Sequence, residues 1–518
     1  MPTARSSTDP DTAHQNRSRW APVADLGPLL RFRTATVRGR RRRVAVAGSA
    51  FLLVGTVLAG WLPAYLPDGD SRRTDVLSLL PSVMMGVLVL AAVSAAASGG
   101  GRELVPRDQA VAFPVTPTTD HLGALLMAPL NIAWLLQSWT LLGATAYVAG
   151  ASPSLVLSQV VVLTWLVTAT SIAQVVGWAV ELLRRGTHGV WRTRVLMTVV
   201  GLTGAYLVAT DRVVPLLQRS PTLFVTVASL RVRTDVGWGF PAALGVLLLV
   251  TVAAVVCGGR LADAVDRRPA RDELRLETSV QEVRPNPASD LAALMRTDRS
   301  GVWRSVPLRR GLVVLAVMPG LVAIAGDLQW GMLTILPGLV ASGGALLFGV
   351  NSWCLDGTGA LWRDSLPVDP RLAFASRALV LLEVLLVATA GTLVMAALRA
   401  GLPSGAELTA VVAAALVVVV QVVSASLRWS VRRPFSVDLR SSRATPAPPL
   451  VMVAYSARLA VSTTFVGILF AALARLPWAW SVAVAVPKLL LSAWRLRRTA
   501  SRWAEPVTRC HVVTTVAG

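Results

Sequence analysis

The sequence predicts an all-α polytopic membrane protein, with about twelve transmembrane helices in two tandem parallel six-helix repeats. Three observations lead there. Apolar stretches of about 20 residues recur along the chain, and each is long enough to cross roughly 30 Å of hydrocarbon. Arginine concentrates in alternate connections between those stretches, as the positive-inside rule requires of a multi-span protein. One short phrase occurs twice, Phe113-Pro114-Val115-Thr116-Pro117 and Leu366-Pro367-Val368-Asp369-Pro370, at an offset of 253 residues and each time flanked by long apolar runs.

With 54% hydrophobic residues and a mean hydropathy of +0.60, water-soluble packing is excluded. The formal charge of +22 would suggest nucleic acid in a soluble protein; here the arginines orient spans instead, and no nucleic-acid partner is expected. Lys488 is the single lysine, a bias toward arginine that fits a high-GC bacterial genome and hence a bacterial plasma membrane. Cys257, Cys354 and Cys510 have neither metal nor redox spacing and make no disulfide framework. The first 43 residues are polar and arginine-rich, without the short apolar core and cleavage site of a signal peptide.

Run length places the spans near 44–66, 75–98, 121–149, 154–180, 195–210, 238–258, 311–326, 331–350, 373–398, 406–427, 451–474 and 477–494. With the amino terminus inside, the cytoplasmic connections hold 39 arginines and the external ones 8, so both termini are expected in the cytoplasm. Trp61, Trp238, Trp330, Trp478 and Trp480 then fall near the outer boundary, and Trp191, Trp353, Trp429 and Trp494 near the inner one, as interfacial anchors. The expected organisation is a disordered tail over 1–25, a first repeat over 26–258, a cytoplasmic linker over 259–290, a second repeat over 291–498 and a tail over 499–518. Leu26 to Arg33 and Leu291 to Arg296 mix apolar and basic residues just before spans 1 and 7, a pattern suited to amphipathic elbows lying in the interface.

Several chemistries lack their signatures. No Gly-x-x-x-x-Gly-Lys-Ser/Thr phosphate loop occurs, so the chain has no ATP-binding motif of that kind. Ser98-Gly99-Gly100-Gly101 and Ser342-Gly343-Gly344 sit in or at the end of spans 2 and 8, where small residues permit close helix contact. His14, His121, His188 and His511 are scattered, so no metal site is expected, and neither a nucleophile elbow nor paired carboxylates within one span supports an enzyme.

Polar groups inside spans mark either a path or interhelical bonds, because a charge at bilayer centre costs about 2.5–3.5 kcal/mol on insertion scales. Glu383 in span 9 is the clearest, with Arg458 or Lys488 as partners by depth. Asn131, Gln137, Gln159, Gln174 and Gln421 are further polar groups of this kind.

An elbow, two spans, a Pro-Val-x-Pro step feeding span 3 and three further spans resemble the permease subunits of type-2 ABC exporters, with two six-span halves fused. The resemblance covers about 30–518 and rests on architecture more than on sequence. It implies that the loops after spans 2 and 8 dock on two cytoplasmic ABC ATPase subunits. The matching positions are Arg102, Glu103, Leu104, Pro106, Arg107, Asp108, Phe113, Pro114, Val115 and Pro117, and in the second half Leu361, Trp362, Arg363, Asp364, Leu366, Pro367, Val368 and Pro370. It also implies no cofactor bound directly, ATP reaching the system through the partner, and membrane lipids as surroundings. The physics of such a loop is separate: two prolines three positions apart fix φ and stiffen the step into the next span. An apolar knob at Phe113 or Leu366, with charges such as Glu103, Asp108, Arg363 and Asp364 at its rim, suits a protein contact. The expected function is export of a hydrophobic or amphipathic substrate. The alternatives are a proton-coupled secondary carrier of the major facilitator type, with Glu383 as proton site, and a non-transporting membrane scaffold.

Overall fold

The computed structural model describes residues 24–29, 31, 40–67, 70–98, 115–130, 132–231, 239–268, 285, 287–325, 328–347, 349–436, 447 and 449–518. Among them the regular structure is helical, without a strand, as backbone in hydrocarbon must satisfy its own hydrogen bonds. The protein is a polytopic helical membrane protein. Eight helices among the described residues are long and apolar enough to cross a bilayer, fewer than the twelve expected.

The amino-terminal group contains α1 (Arg40–Trp61), α2 (Asp70–Ser98), α3 (Pro117–Met127), α4 (Ile132–Ala149), α5 (Leu155–Arg184) and α6 (Gly189–Ala209). Two short helices, α7 (Val213–Gln218) and α8 (Thr222–Arg231), precede α9 (Gly239–Asp266). Both α7 and α8 pack on α2. The centre of this group is α5, whose Val161, Val162, Leu166 and Ala169 are buried against α2, α4 and α9.

The carboxyl-terminal group begins with α10 (Asp290–Arg304) and α11 (Val306–Ala325), followed by α12 (Trp330–Leu333) and α13 (Leu336–Leu347). After the five-residue α14 (Ala360–Asp364) come α15 (Pro370–Ala397), α16 (Gly405–Arg432), α17 (Pro449–Leu473), α18 (Trp478–Ala504) and α19 (Pro506–Ala517). Here α16 is the hub, with Ala414, Val417, Val418, Val422 and Leu427 buried among α13, α15, α17 and α18. The α10 helix begins at Ser289, whose hydroxyl accepts from the Ala292 amide, and turns 83° from α11, so the elbow expected at 291–296 is a 15-residue helix. Of the first elbow, residues 26–29 and 31 are helical, and the remainder lies outside the described residues. Residues 499–518, expected as a tail, complete α18 and form α19, which packs on α14, α16 and α18.

Large apolar side chains line the outward faces: Val199, Leu202 and Tyr206 on α6, Leu248, Leu249 and Val252 on α9, and Val482, Val486 and Leu490 on α18 are exposed. Such continuous apolar surface suits lipid and not water. Small residues set the closest helix approaches. A Cβ on Gly343 or Gly344 would lie 2.4 Å from the Leu315 or Leu385 side chain, which accounts for the Ser342-Gly343-Gly344 run as helix packing. At Gly177 a Cβ would come within 2.9 Å of the Ala95 carbonyl oxygen, main chain that cannot swing aside. Gly177→Leu is therefore expected to force α5 from α2 and destabilise the fold by about 1–3 kcal/mol or more, read as an earlier loss of the monodisperse peak on heating in detergent.

Candidate functional site

The strongest concentration of charge chemistry lies where α10, the connection 349–369, the start of α15 and α19 meet. The connection leaves α13 through a 3₁₀ turn (Gly349–Asn351), makes a second one (Gly357–Gly359) and enters α14. Asp369 then caps α15, its carboxylate accepting from the Arg371 amide at 2.9 Å, and Pro370 opens the helix where its missing N–H costs nothing. At the other copy of the phrase Thr116 caps α3, accepting from the Thr119 amide at 3.1 Å, and Pro117 opens that helix in the same way.

Arg377, two turns into α15, is 1% exposed, which commits its charge to partners inside the protein. Its guanidinium donates to both oxygens of Asp356, at 2.7 and 2.8 Å, and to the Ser352 carbonyl at 3.0 Å, and pairs with Asp298 of α10 at 3.1 Å. Arg363 of α14 adds a second bridge to the same carboxylates, donating to Asp298 Oδ2 at 3.1 Å and to Asp356 Oδ1 at 3.0 Å. Ser376 donates to Asp298 at 2.6 Å. Two guanidinia and two carboxylates thus join the elbow, the connection, α14 and α15 in one neutral cluster. Burial alone would raise the Asp298 carboxyl, but Arg377 and Arg363 outweigh it and hold the group below the ordinary carboxylate range.

An aromatic layer lies beside the ions. Trp353 stacks on Trp503 with centroids 3.9 Å apart, Arg377 sits 5.3 Å over the Trp353 ring, and the Trp503 indole donates to the Pro370 carbonyl at 3.1 Å. Arg509 of α19 pairs with Asp364 at 2.8 Å. Together they bound a cavity of about 270 Å³ lined by Trp353, Arg363, Leu366, Pro367, Trp503 and Val512 among others. Burial pushes the neighbouring Cys354 thiol up to about 12, which keeps it protonated and unreactive.

The expected site residues separate accordingly. Arg102, Glu103, Pro106, Asp108, Phe113 and Pro114, with Leu104, Arg107 and Asn131, lie outside the described residues, while Val115 is half-buried and Pro117 begins α3. Arg363 and Asp364 point into the protein, and Leu366, Pro367 and Val368 line the cavity. Leu361 and Trp362 stay outside, 54% and 65% exposed, as the apolar face of α14.

Glu383 pairs with Arg299 of α10 at 2.8 Å, and not with Arg458 or Lys488 as its depth in the sequence suggested. Glu383 lies halfway along the 28-residue α15, and α10 packs against that helix closely enough for Arg299 to reach it. Lys488 instead sits 5.9 Å over the Phe465 ring, and Arg458 is exposed. Gln159 ties α5 to its neighbours, donating to the Gly60 and Leu142 carbonyls at 2.9 and 3.1 Å. Gln174 is buried, whereas Gln137 and Gln421 are half-buried.

Asp298, Asp356, Arg377, Trp353 and Trp503 were not among the residues read as a site. Arg377 carried a usable signal, a charge within an apolar run. Comparison of the chain with protein-family models, curated proteins and solved structures finds no match.

Asp298→Ala is expected to leave Arg377 buried with one carboxylate fewer and to cost about 3–5 kcal/mol, measured as a lower melting temperature in detergent. A depressed folded pKa gives stability that is complete above the unfolded value and lost as pH falls through the folded one. The melting temperature should accordingly hold from pH 7 to 5 and drop only below about 4, with Asp298→Asn flattening part of that drop.

Proposed function

We propose that the chain is a permease of an ABC exporter, twelve spans in two six-helix halves, driven by two separate ATPase subunits. The observation that carries this reading is the α14 step. It offers Leu361 and Trp362 outward while Arg363 ties it to the elbow and to α15, so a push on α14 reaches two membrane elements without slack. A contact that transmits force needs an apolar face and a stiff mounting, and α14 has both.

Helix pairing supports the two halves. With α3 and α4 as span 3 and α12 and α13 as span 8, seven pairings in the first half (1·3, 2·3, 2·4, 3·4, 3·6, 4·5 and 4·6) have counterparts in the second. Two contacts between halves are reciprocal as well: α6 meets α11 and α1 meets α17, the fifth span of each half against the first of the other, while α2 meets α11 without a counterpart. Reciprocal contacts of this kind accompany a two-fold axis. The arginine distribution orients the bundle with both termini and α14 in the cytoplasm of a bacterial cell. The scarcity of charged residues within the spans favours a hydrophobic or amphipathic cargo. Glu383 is engaged by Arg299 of α10, which gives it a role as a link between the elbow and α15.

The test is co-purification. Tagged chain from its native host should retain an ABC ATPase, and L361D/W362A should reduce that retention at least tenfold while the melting temperature holds. Inside-out vesicles should show uptake that needs ATP and survives dissipation of the proton gradient; dependence on the gradient with indifference to ATP would select the carrier reading.

A further inference from the structure

Two sets of arginines stand in contrast. Arg184 and Arg185 share Glu181, Arg363 and Arg377 share Asp298 and Asp356, Arg299 has Glu383, and Arg509 has Asp364. A second group has no carboxylate among the described residues. Arg428 and Arg432 lie one turn apart at the end of α16, Arg495 and Arg502 two turns apart on α18, and Arg458 on α17. All four others lie within electrostatic reach of Arg428. No acidic residue occurs on α17 or α18, and the single one on α16, Glu407, is at its far end.

We propose that α16, α17 and α18 form a binding site for the headgroup of an anionic phospholipid in the arginine-rich leaflet. Clustered guanidinia repel one another, and a phosphodiester relieves that repulsion while offering the planar, bidentate acceptors that arginine fits. The surface beyond the cluster specifies a lipid and not a free phosphate. Val461, Phe465 and Ile468 of α17 and Val486, Leu490 and Leu491 of α18 are exposed, and Lys488 over Phe465 brings the two faces together. Acyl chains would lie along that face with the phosphate at the arginines. Exposed Trp494, one residue before Arg495, stands at the level where indoles meet headgroups. The site is independent of the export reading, because it requires only that the bundle sit in a membrane.

The test uses the full chain purified in mild detergent and incubated with phosphatidylglycerol or phosphatidylcholine, with retained lipid counted by native mass spectrometry. Wild type should retain phosphatidylglycerol at least fivefold over phosphatidylcholine. R428Q/R458Q/R495Q should lose that preference, and the corresponding triple change to lysine should keep at least half of it. Should the glutamine triple not fold, the exposed Arg495→Gln alone should lower the preference at least twofold. R192Q/R194Q at the start of α6 should leave it unchanged, as should excess inorganic phosphate. Equal retention of the two lipids, an unaltered preference in the variants of the cluster, equal loss in R192Q/R194Q or displacement by inorganic phosphate would each overturn the proposal.

Discussion

The arrangement at the basic end depends on one buried cation. Arg377 sits within α15, and its charge is tolerable only because Asp356 from the connection and Asp298 from the elbow reach it together. Neither carboxylate is local to α15. Satisfying Arg377 therefore requires the chain to close two long loops at once, which specifies where α10 and the 349–369 connection must lie. Arg363 then has two carboxylates already in place, and its bridge mounts α14. The aromatic stack of Trp353 and Trp503 covers the cluster and lowers its dielectric, which strengthens every ionic contact beneath it.

Such a cluster changes how a force applied to α14 is distributed. A helix of five residues has little stability of its own, since nucleation is unfavourable and few internal hydrogen bonds form. Mounted on Asp298 it moves with α10, and through Arg377 with α15. Arg299 and Glu383 make a second, more exposed contact between α10 and α15. One side of the elbow is thus gripped at two levels by the same span, so tilting α10 without tilting α15 would break both contacts. The α19 helix adds a third partner through Arg509 and Asp364, and its Val512, Val513 and Val516 are buried.

Class and element positions were legible because they follow from run length. Each apolar run of the sequence coincides with helix, and the caps at Thr116 and Asp369 sit where the repeated phrase places them. The helix before span 7 was legible only over 291–296, because Asp298, Arg299 and Arg304 interrupt the mixed apolar and basic pattern that marked its start. The ion cluster was not legible: Asp298, Asp356 and Arg377 are separated by 58 and 21 positions, and no periodicity links residues on three different elements. The partner of Glu383 was not legible, since run length carries no information on how α10 lies along α15. The role of 499–518 was hidden for a related reason. Arginines on α18 suggested a solvated tail, whereas Trp503 and the valines of α19 turn inward on a face that only three dimensions reveal.

Charge compensation also explains why two arginine groups at one end of the bundle behave differently. Around Arg377 a guanidinium is covered by protein, and covering it without a carboxylate would cost several kcal/mol. Around Arg428 the guanidinia stand on α16, α17 and α18, where a headgroup can supply the counter-charge that the described residues do not. An acid placed on α17 or α18 would neutralise those arginines internally and also weaken the charge asymmetry that orients the last spans during insertion. A surface matched to anionic headgroups would serve both requirements.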